Sequence, residues 1–142
     1  MNTYESLSVG DTFELSRTIT QEDVHLFAQV SGDDNPIHVD PEYAADHAPG
    51  GRPIVHGVLL LGIVSKVLGR DFPGPGSVAV SIQSKFLRPV PVGGEVRIEV
   101  KVAEKRERFG HVKMGVYAYY NGKMAVGGEA VLIPPREKDV AG

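Results

Sequence analysis

The sequence predicts an α+β fold, an antiparallel sheet of about five strands wrapped around one long central helix with a short helical overhang. Two observations carry this expectation. Gly57–Leu68 contains Val58, Leu59, Leu60, Leu61, Ile63, Val64, Val67 and Leu68, with only Ser65 and Lys66 polar. A helix that is apolar on most of its surface has to be covered on most of its sides. The second observation is a change of character after Gly76. Four Val-rich segments follow, separated by Pro91-Val92-Gly93-Gly94, Phe109-Gly110 and Asn121-Gly122. A curved sheet is the cover such a helix needs. The chain of 142 residues suits one domain with one core.

Each element has its own signal. Residues 1–10 read as a lead-in that turns at Val9-Gly10-Asp11, and Thr12–Ile19 alternates weakly, as a first strand does. Thr20-Gln21-Glu22-Asp23 resembles a capping box with Asp at its last position. The helix it opens presents Val24, Phe27, Ala28 and Val30 on its apolar face and stops at Gly32. Asp40 caps a second, short helix with Pro41 at its first position. Ala48–Pro53 is a loop, the central helix ends at Gly69, and Asp71–Gly76 is rich in turn residues. Ser77–Leu87, Glu95–Lys105, Val112–Asn121 and Met124–Ile133 are the predicted strands. Asn121-Gly122 is a strong two-residue hairpin signal. Consecutive strands joined by short turns imply an antiparallel meander. Residues 134–142 read as a flexible tail of the single domain 1–142. A sheet around one helix is the hot-dog fold. Its edge strands invite pairing, so a homodimer is expected.

Composition excludes several classes. A net charge of −3 gives no footprint for nucleic acid. Without cysteine there is no disulfide, no thiolate nucleophile and no Cys-zinc site. The five histidines show no close metal-ligand spacing, so no metal is expected. The N-terminus has no signal-peptide pattern, and the apolar run Val58–Val64 is far short of the ~20 residues that span a membrane. A cytoplasmic protein without membrane partners is expected.

The richest local pattern is Val30-Ser31-Gly32-Asp33-Asp34-Asn35-Pro36-Ile37-His38. Gly32 and the Asn35-Pro36 step disfavour regular helix and favour a tight turn. Such a turn can aim Asp33 and His38 at one point, and a carboxylate and an imidazole so aimed form a proton-transfer pair. Alone, the pattern also suits a surface loop in which Asp and Asn make turn hydrogen bonds.

Three segments together resemble one family. Phe27 to His38 is similar to the hydratase motif of the MaoC-like (R)-specific enoyl-CoA hydratases, an aromatic followed by Gly-Asp-x-Asn-Pro-aliphatic-His, and Ala44 fits its later small residue. Pro53-Ile54-Val55-His56-Gly57-Val58-Leu59 resembles the entry to that family's central helix, and Phe86-x-x-Pro89-Val90-x-Val92-Gly93 its strand-turn-strand. The resemblance implies that Asp33, not Asp34, and His38 hold a water. They add it to a trans-2-enoyl-CoA to give an (R)-3-hydroxyacyl-CoA. Asp33 is the expected base and His38 the expected donor to C2, although a shared water couples the two and leaves the division open. Asn35 is expected to orient the turn. The resemblance also assigns the thioester carbonyl to the N–H of Gly57, at the positive end of the helix dipole.

Ser65, Leu68 and Val131 match positions that line the family's acyl tunnel, where the bulk of Leu68 and Val131 favours short chains. Arg52, Lys85 and Arg88 are candidates for the coenzyme A phosphates. His56 is expected to be a buried histidine bonded to backbone, with His25 and His111 solvated. No cofactor is implied beyond the coenzyme A of the substrate. The substrate is an acyl-CoA or acyl carrier protein thioester. The alternatives are a 3-hydroxyacyl-ACP dehydratase, a hot-dog thioesterase and a non-catalytic acyl-CoA-binding module.

Overall fold

The computed structural model describes residues 2–140. Residues 141–142, the end of the expected tail, lie outside them. The strands are β1 (Thr12–Thr18), β2 (Val78–Phe86), β3 (Glu95–Arg106), β4 (His111–Tyr120) and β5 (Lys123–Ile133). The helices are α1 (Gln21–Ser31), α2 (Pro36–Val39), α3 (Pro41–His47), α4 (Gly57–Lys66) and α5 (Glu137–Val140).

The five strands form one antiparallel sheet in the order β1-β3-β4-β5-β2. The meander expected from short turns holds for β3, β4 and β5. It fails for β2, which lies at the far edge against β5, with Val78 opposite Ile133 and Phe86 opposite Val126. The chain therefore crosses from one side of the sheet toward the other between β2 and β3. It is pinned on the way. The Val55 N–H donates to the Val90 carbonyl at 2.8 Å, and the Val92 N–H to the Pro53 carbonyl at 2.9 Å. These bonds tie the crossing to the segment that enters α4.

The inner face of the sheet is Val96, Ile98, Val100 and Val102 of β3 with Val112, Met114, Val116 and Ala118 of β4, all 0% exposed. They join Leu59, Leu60, Ile63 and Val64 of α4 in one apolar cluster. Burying each large side chain contributes roughly 1.5–3 kcal/mol. The helix is less covered than its composition implies. Val58 is 56% exposed, and Gly62, Ser65 and Lys66 are also exposed, so one flank stays open. Nor does Gly69 end the helix. The backbone continues as a π-helical turn over Val67–Asp71, closed by the Phe72 N–H on the Val67 carbonyl at 2.7 Å. Gly69 is not among the positive-φ glycines, so it does not form the left-handed cap that stops a helix.

Local signals set the remaining ends. Thr20 and Asp23 form the reciprocal capping box at the start of α1, and Gly32 closes it at φ 80°. Val30 is 83% exposed and does not share the apolar face of Val24 and Ala28. Asp40 caps α3 through the N–H groups of Glu42 and Tyr43. Asn121 (φ 50°) and Gly122 (φ 73°) make the left-handed hairpin turn between β4 and β5. His25 is exposed, whereas His111 opens β4 and is half-buried. The segment after β5 contacts the lead-in. The Tyr4 N–H donates to the Pro135 carbonyl at 2.9 Å, and Arg136 pairs with Glu107 at 3.2 Å.

Candidate active site

The turn between α1 and α2 is built from its own side chains. The Asp33 N–H donates to Ser31 Oγ at 3.0 Å, and that hydroxyl donates to the Phe27 carbonyl at 2.6 Å. The Asn35 N–H donates to Asp33 Oδ1 at 3.3 Å, while Asn35 Oδ1 caps α2 through the Ile37 N–H at 3.2 Å. Asn35 thus ties the turn to α2, and its contact to the acid is made by backbone. Pro36 at the first position of α2 fixes the entry to the single turn that carries His38.

His38 is buried and held from two sides. The Gln21 side-chain amide donates to its carbonyl at 3.2 Å. Its Nδ1 lies 2.7 Å from the Ile54 carbonyl. A carbonyl only accepts, so Nδ1 carries a proton and Nε2 is left for chemistry. His56, one residue before α4, is also buried, and its Nε2 lies 2.9 Å from the Asp33 carbonyl. The bland expectation for His56 therefore agrees with its surroundings. Its ring stacks on that of His38 with centroids 3.9 Å apart, and Phe27 packs against it at 4.7 Å. Burial holds the His56 pKa below the ordinary histidine value, and the neighbouring His38 adds to the effect against the bond to the Asp33 carbonyl.

Asp33, His38 and His56 each offer a ligand-capable atom, all within 4.8 Å of one another. His38 Nδ1 and His56 Nε2 both face backbone carbonyls. Stacked rings lay their in-plane lone pairs in near-parallel planes rather than at one point. That geometry suits the handling of protons better than chelation.

A pocket of about 260 Å³ opens beside His38 and is lined by Gly57, Leu60, Phe86, Arg88 and Val126 among others. α4 begins here without a side-chain cap, and the N–H of its first residue, Gly57, has no intrahelical partner. A larger apolar groove, about 700 Å³, runs between α1 and α4 past Leu26, Phe27, Leu59 and Ile63. It contains none of the proton-transfer groups. Phe27, at one end of the Phe27–His56–His38 ring layer, lines this groove, and His38, at the other end, lines the smaller pocket.

The other candidates divide. Arg88 lines the His38 pocket, with Nη1 donating to the Met124 carbonyl at 2.7 Å. Lys85 projects from the outer face of β2 beside Gly127 and Glu129, and Arg52 is exposed in the loop after α3. Ser65 lies on the open flank of α4, and Leu68 is buried in the core beyond it. Val131 corrects an expectation. It sits opposite Lys113 and Ser81 on the outer face, while its neighbours Ala130 and Leu132 face the core. Side chains alternate along a strand, so Val131 does not close a pocket with Leu68 inside one chain. Sequence reasoning placed Phe86 in a motif without a role. The structure lays its ring against Gly57.

Comparison with known proteins shows the family. A family model described as "MaoC like domain" matches residues 7–121. The chain belongs to the MaoC-like family, and its fold is the hot-dog fold of that family's solved members. It is 41% identical to the (R)-specific enoyl-CoA hydratase of Aeromonas caviae over 132 residues, which is 92% of this chain and 98% of that protein. It is 35% identical to the 3-hydroxybutyryl-CoA dehydratase of Methylorubrum extorquens, over 96% of this chain and 86% of that one. The structure of the A. caviae (R)-hydratase involved in PHA biosynthesis superposes with a TM-score of 0.89, covering 92% of this chain and 99% of that one. An (R)-hydratase of Pseudomonas aeruginosa, 36% identical, gives a TM-score of 0.90, covering 95% of this chain and 86% of that one.

Proposed function

We propose that the protein is an (R)-specific enoyl-CoA hydratase. The observation that carries this reading is the meeting of Asp33 and His38 beside the start of α4, where His38 and Gly57 line one pocket. Hydration needs these parts. The oxygen of a water attacks C3, its proton passes to a base, and C2 takes a proton from an acid. Asp33 and His38 fill those two roles across a shared water, with Asp33 as the base. Each positioned acid or base is typically worth about 10²–10⁴-fold. The charge that develops on the thioester oxygen meets the N–H of Gly57 at the positive end of α4. No cofactor enters this scheme, and no metal takes part in it.

Acyl-CoA is the proposed substrate, with Arg88 nearest to meet its polar arm. The proposed assembly is a homodimer acting in the cytoplasm. β2 is an edge strand with exposed Val78 and Val80, and the open flank of α4 adds Val58. Among the described residues no helix is long and apolar enough to cross a membrane.

The test is an assay at the enoyl-thioester absorbance with crotonyl-CoA and a longer homologue, followed by chiral analysis of the product. Loss of absorbance with (R)-3-hydroxyacyl-CoA as product is expected. An unchanged absorbance with both substrates, or an (S) product, overturns the reading. A second reading, dehydration of 3-hydroxyacyl-ACP, is favoured by the 34% identity to a mitochondrial 3-hydroxyacyl-[acyl-carrier-protein] dehydratase of Arabidopsis thaliana. Running the same acyl group on both carriers decides between them.

A further inference from the structure

The proton-transfer scheme uses Asp33 and His38 and gives no task to the third group beside them. His56 is 2% exposed and touches both. The Asp33 carbonyl can only accept, so His56 Nε2 carries a proton and donates across 2.9 Å. Its Nδ1 is buried and has no hydrogen-bond partner among the described residues. A second proton there would bury both a charge and an unmet donor. The ring is therefore neutral, as the downward displacement of its pKa by burial also indicates. One face of that ring lies 3.9 Å from His38, and Phe27 backs it at 4.7 Å.

We infer that His56 is a positioning residue for the proposed hydration: its Nε2–H holds the backbone of the acid, and its ring is the floor on which the catalytic imidazole rests. One side chain thus braces both ends of the Asp33–His38 turn, the backbone of Asp33 and the ring of His38. It acts through them and does not meet the reacting atoms. Neutrality is part of the task. A cationic ring stacked on His38 would oppose the protonation of His38, since like charges at that separation disfavour each other. Core filling alone explains neither the donor aimed at the acid's own carbonyl nor the stacked geometry. A leucine would fill similar space without either.

This inference rests on the hydratase reading, so its test includes a readout that does not depend on turnover. In the wild-type protein, ¹⁵N spectra of the histidine rings should show His56 as the neutral Nε2–H tautomer at about pH 7 to 8. A cationic ring, or the Nδ1–H tautomer, overturns the inference whatever the activity. Absence of any hydration by the wild type overturns the functional reading instead.

Two variants and a cycle then test the role. His56→Phe keeps a ring and removes the donor. His56→Gln keeps a donor of similar reach and removes the ring. His56→Phe should lower kcat by about 10–10²-fold, the scale of a small misplacement of reacting groups. KM should stay within about twofold, since uniform binding is untouched. His56→Gln should recover part of that loss. In an Asp33→Asn background, His56→Phe should cost less than about threefold further, because residues acting through one another are not additive. An unchanged kcat in His56→Phe, or the same loss in both backgrounds, overturns the role. So does a kcat that falls only in step with the folded fraction in thermal melts. If His56→Phe fails to fold, His56→Gln in both backgrounds and the ring spectrum decide.

Discussion

A Cβ placed on Gly57 would lie 2.5 Å from Cδ1 of Phe86. The first residue of α4 and the last of β2 therefore meet with no room for a methyl group between them. Phe86 is more than half exposed, so its ring can swing away, and the direction open to it includes the pocket that both residues line. Gly57→Ala should keep the N–H yet lower kcat/KM for crotonyl-CoA, and adding Phe86→Ala should restore most of the loss. Gly57→Pro removes the N–H itself. It should cost about 10²–10³ in kcat, and Phe86→Ala should not rescue it. Pro is tolerated at a helix start, and its Cβ meets Phe86 as that of alanine does, so the Phe86→Ala background isolates the loss of the N–H. A folded Gly57→Pro enzyme with normal turnover would remove Gly57 from the mechanism.

The register of the turn makes a second prediction. Asp33 lies within reach of His38, while the N–H of its neighbour Asp34 donates back to the Gly32 carbonyl and its side chain is exposed. Asp33→Asn and His38→Ala should each lose at least ~10²-fold in kcat. Asp34→Asn should stay close to wild type. Steady-state assays of the three variants check this, and an inactive Asp34→Asn would shift the register by one residue.

Assembly is a third. The unpaired edge of β2 exposes Val78 and Val80, and the open flank of α4 exposes Val58. A C2 dimer, the commonest closed homo-oligomer, would cover them. Light scattering at micromolar protein should return twice the mass of the chain. Val80→Asp should shift that toward one, and a wild-type monomer would count against the dimer.

The buried histidine gives a pH prediction with a definite sign. The folded pKa of His56 lies below the unfolded value of about 6.5, so the unfolded chain binds the extra proton first. The contribution of neutral His56 to stability is complete above that value. It is lost as pH falls from about 6.5 toward the folded pKa, at no more than about 1.4 kcal/mol per pH unit. Denaturant unfolding of wild type and His56→Gln across this window should show the difference between them shrinking as pH falls. A difference that does not vary with pH would mean that His56 is protonated equally in both states.

Leu68 and Val131 now separate. Leu68 packs in the core, so Leu68→Ala should cost about 2–5 kcal/mol of stability. Val131 lies on the outer face among Lys113 and Ser81. Val131→Ala should leave the ratio of kcat/KM between crotonyl-CoA and a longer enoyl-CoA unchanged. A ratio that moved would place the acyl chain against that face.

What the sequence made legible was local. Caps, the left-handed Gly32 and the Asn121-Gly122 turn each depend on residues within a few positions of one another, and each stands where its signal puts it. The turn of Asp33 and Asn35 was readable for the same reason. Three things were not. The face of Val131 was hidden because β5 is apolar on both sides at this point, with Ala130, Val131, Leu132 and Ile133 in sequence, so period-two reasoning had nothing to count. The place of β2 was hidden because adjacency in sequence favours pairing with β3, whereas its partner β5 lies far along the chain. The link from His56 to Asp33 spans 23 residues between two segments that read well separately and say nothing of each other.

The pairing of β1 has a consequence for the order of events in folding. Among the described residues its one partner in the sheet is β3, with Thr12 facing Lys101 and Thr18 facing Glu95. During synthesis β1 leaves the ribosome long before β3 exists to receive it. Contacts this distant along the chain require a large loop to close, which slows folding. The β3–β4–β5 hairpins, whose contacts are local, can form without waiting. The strand written first in the sequence is thereby among the last to find its partner in space.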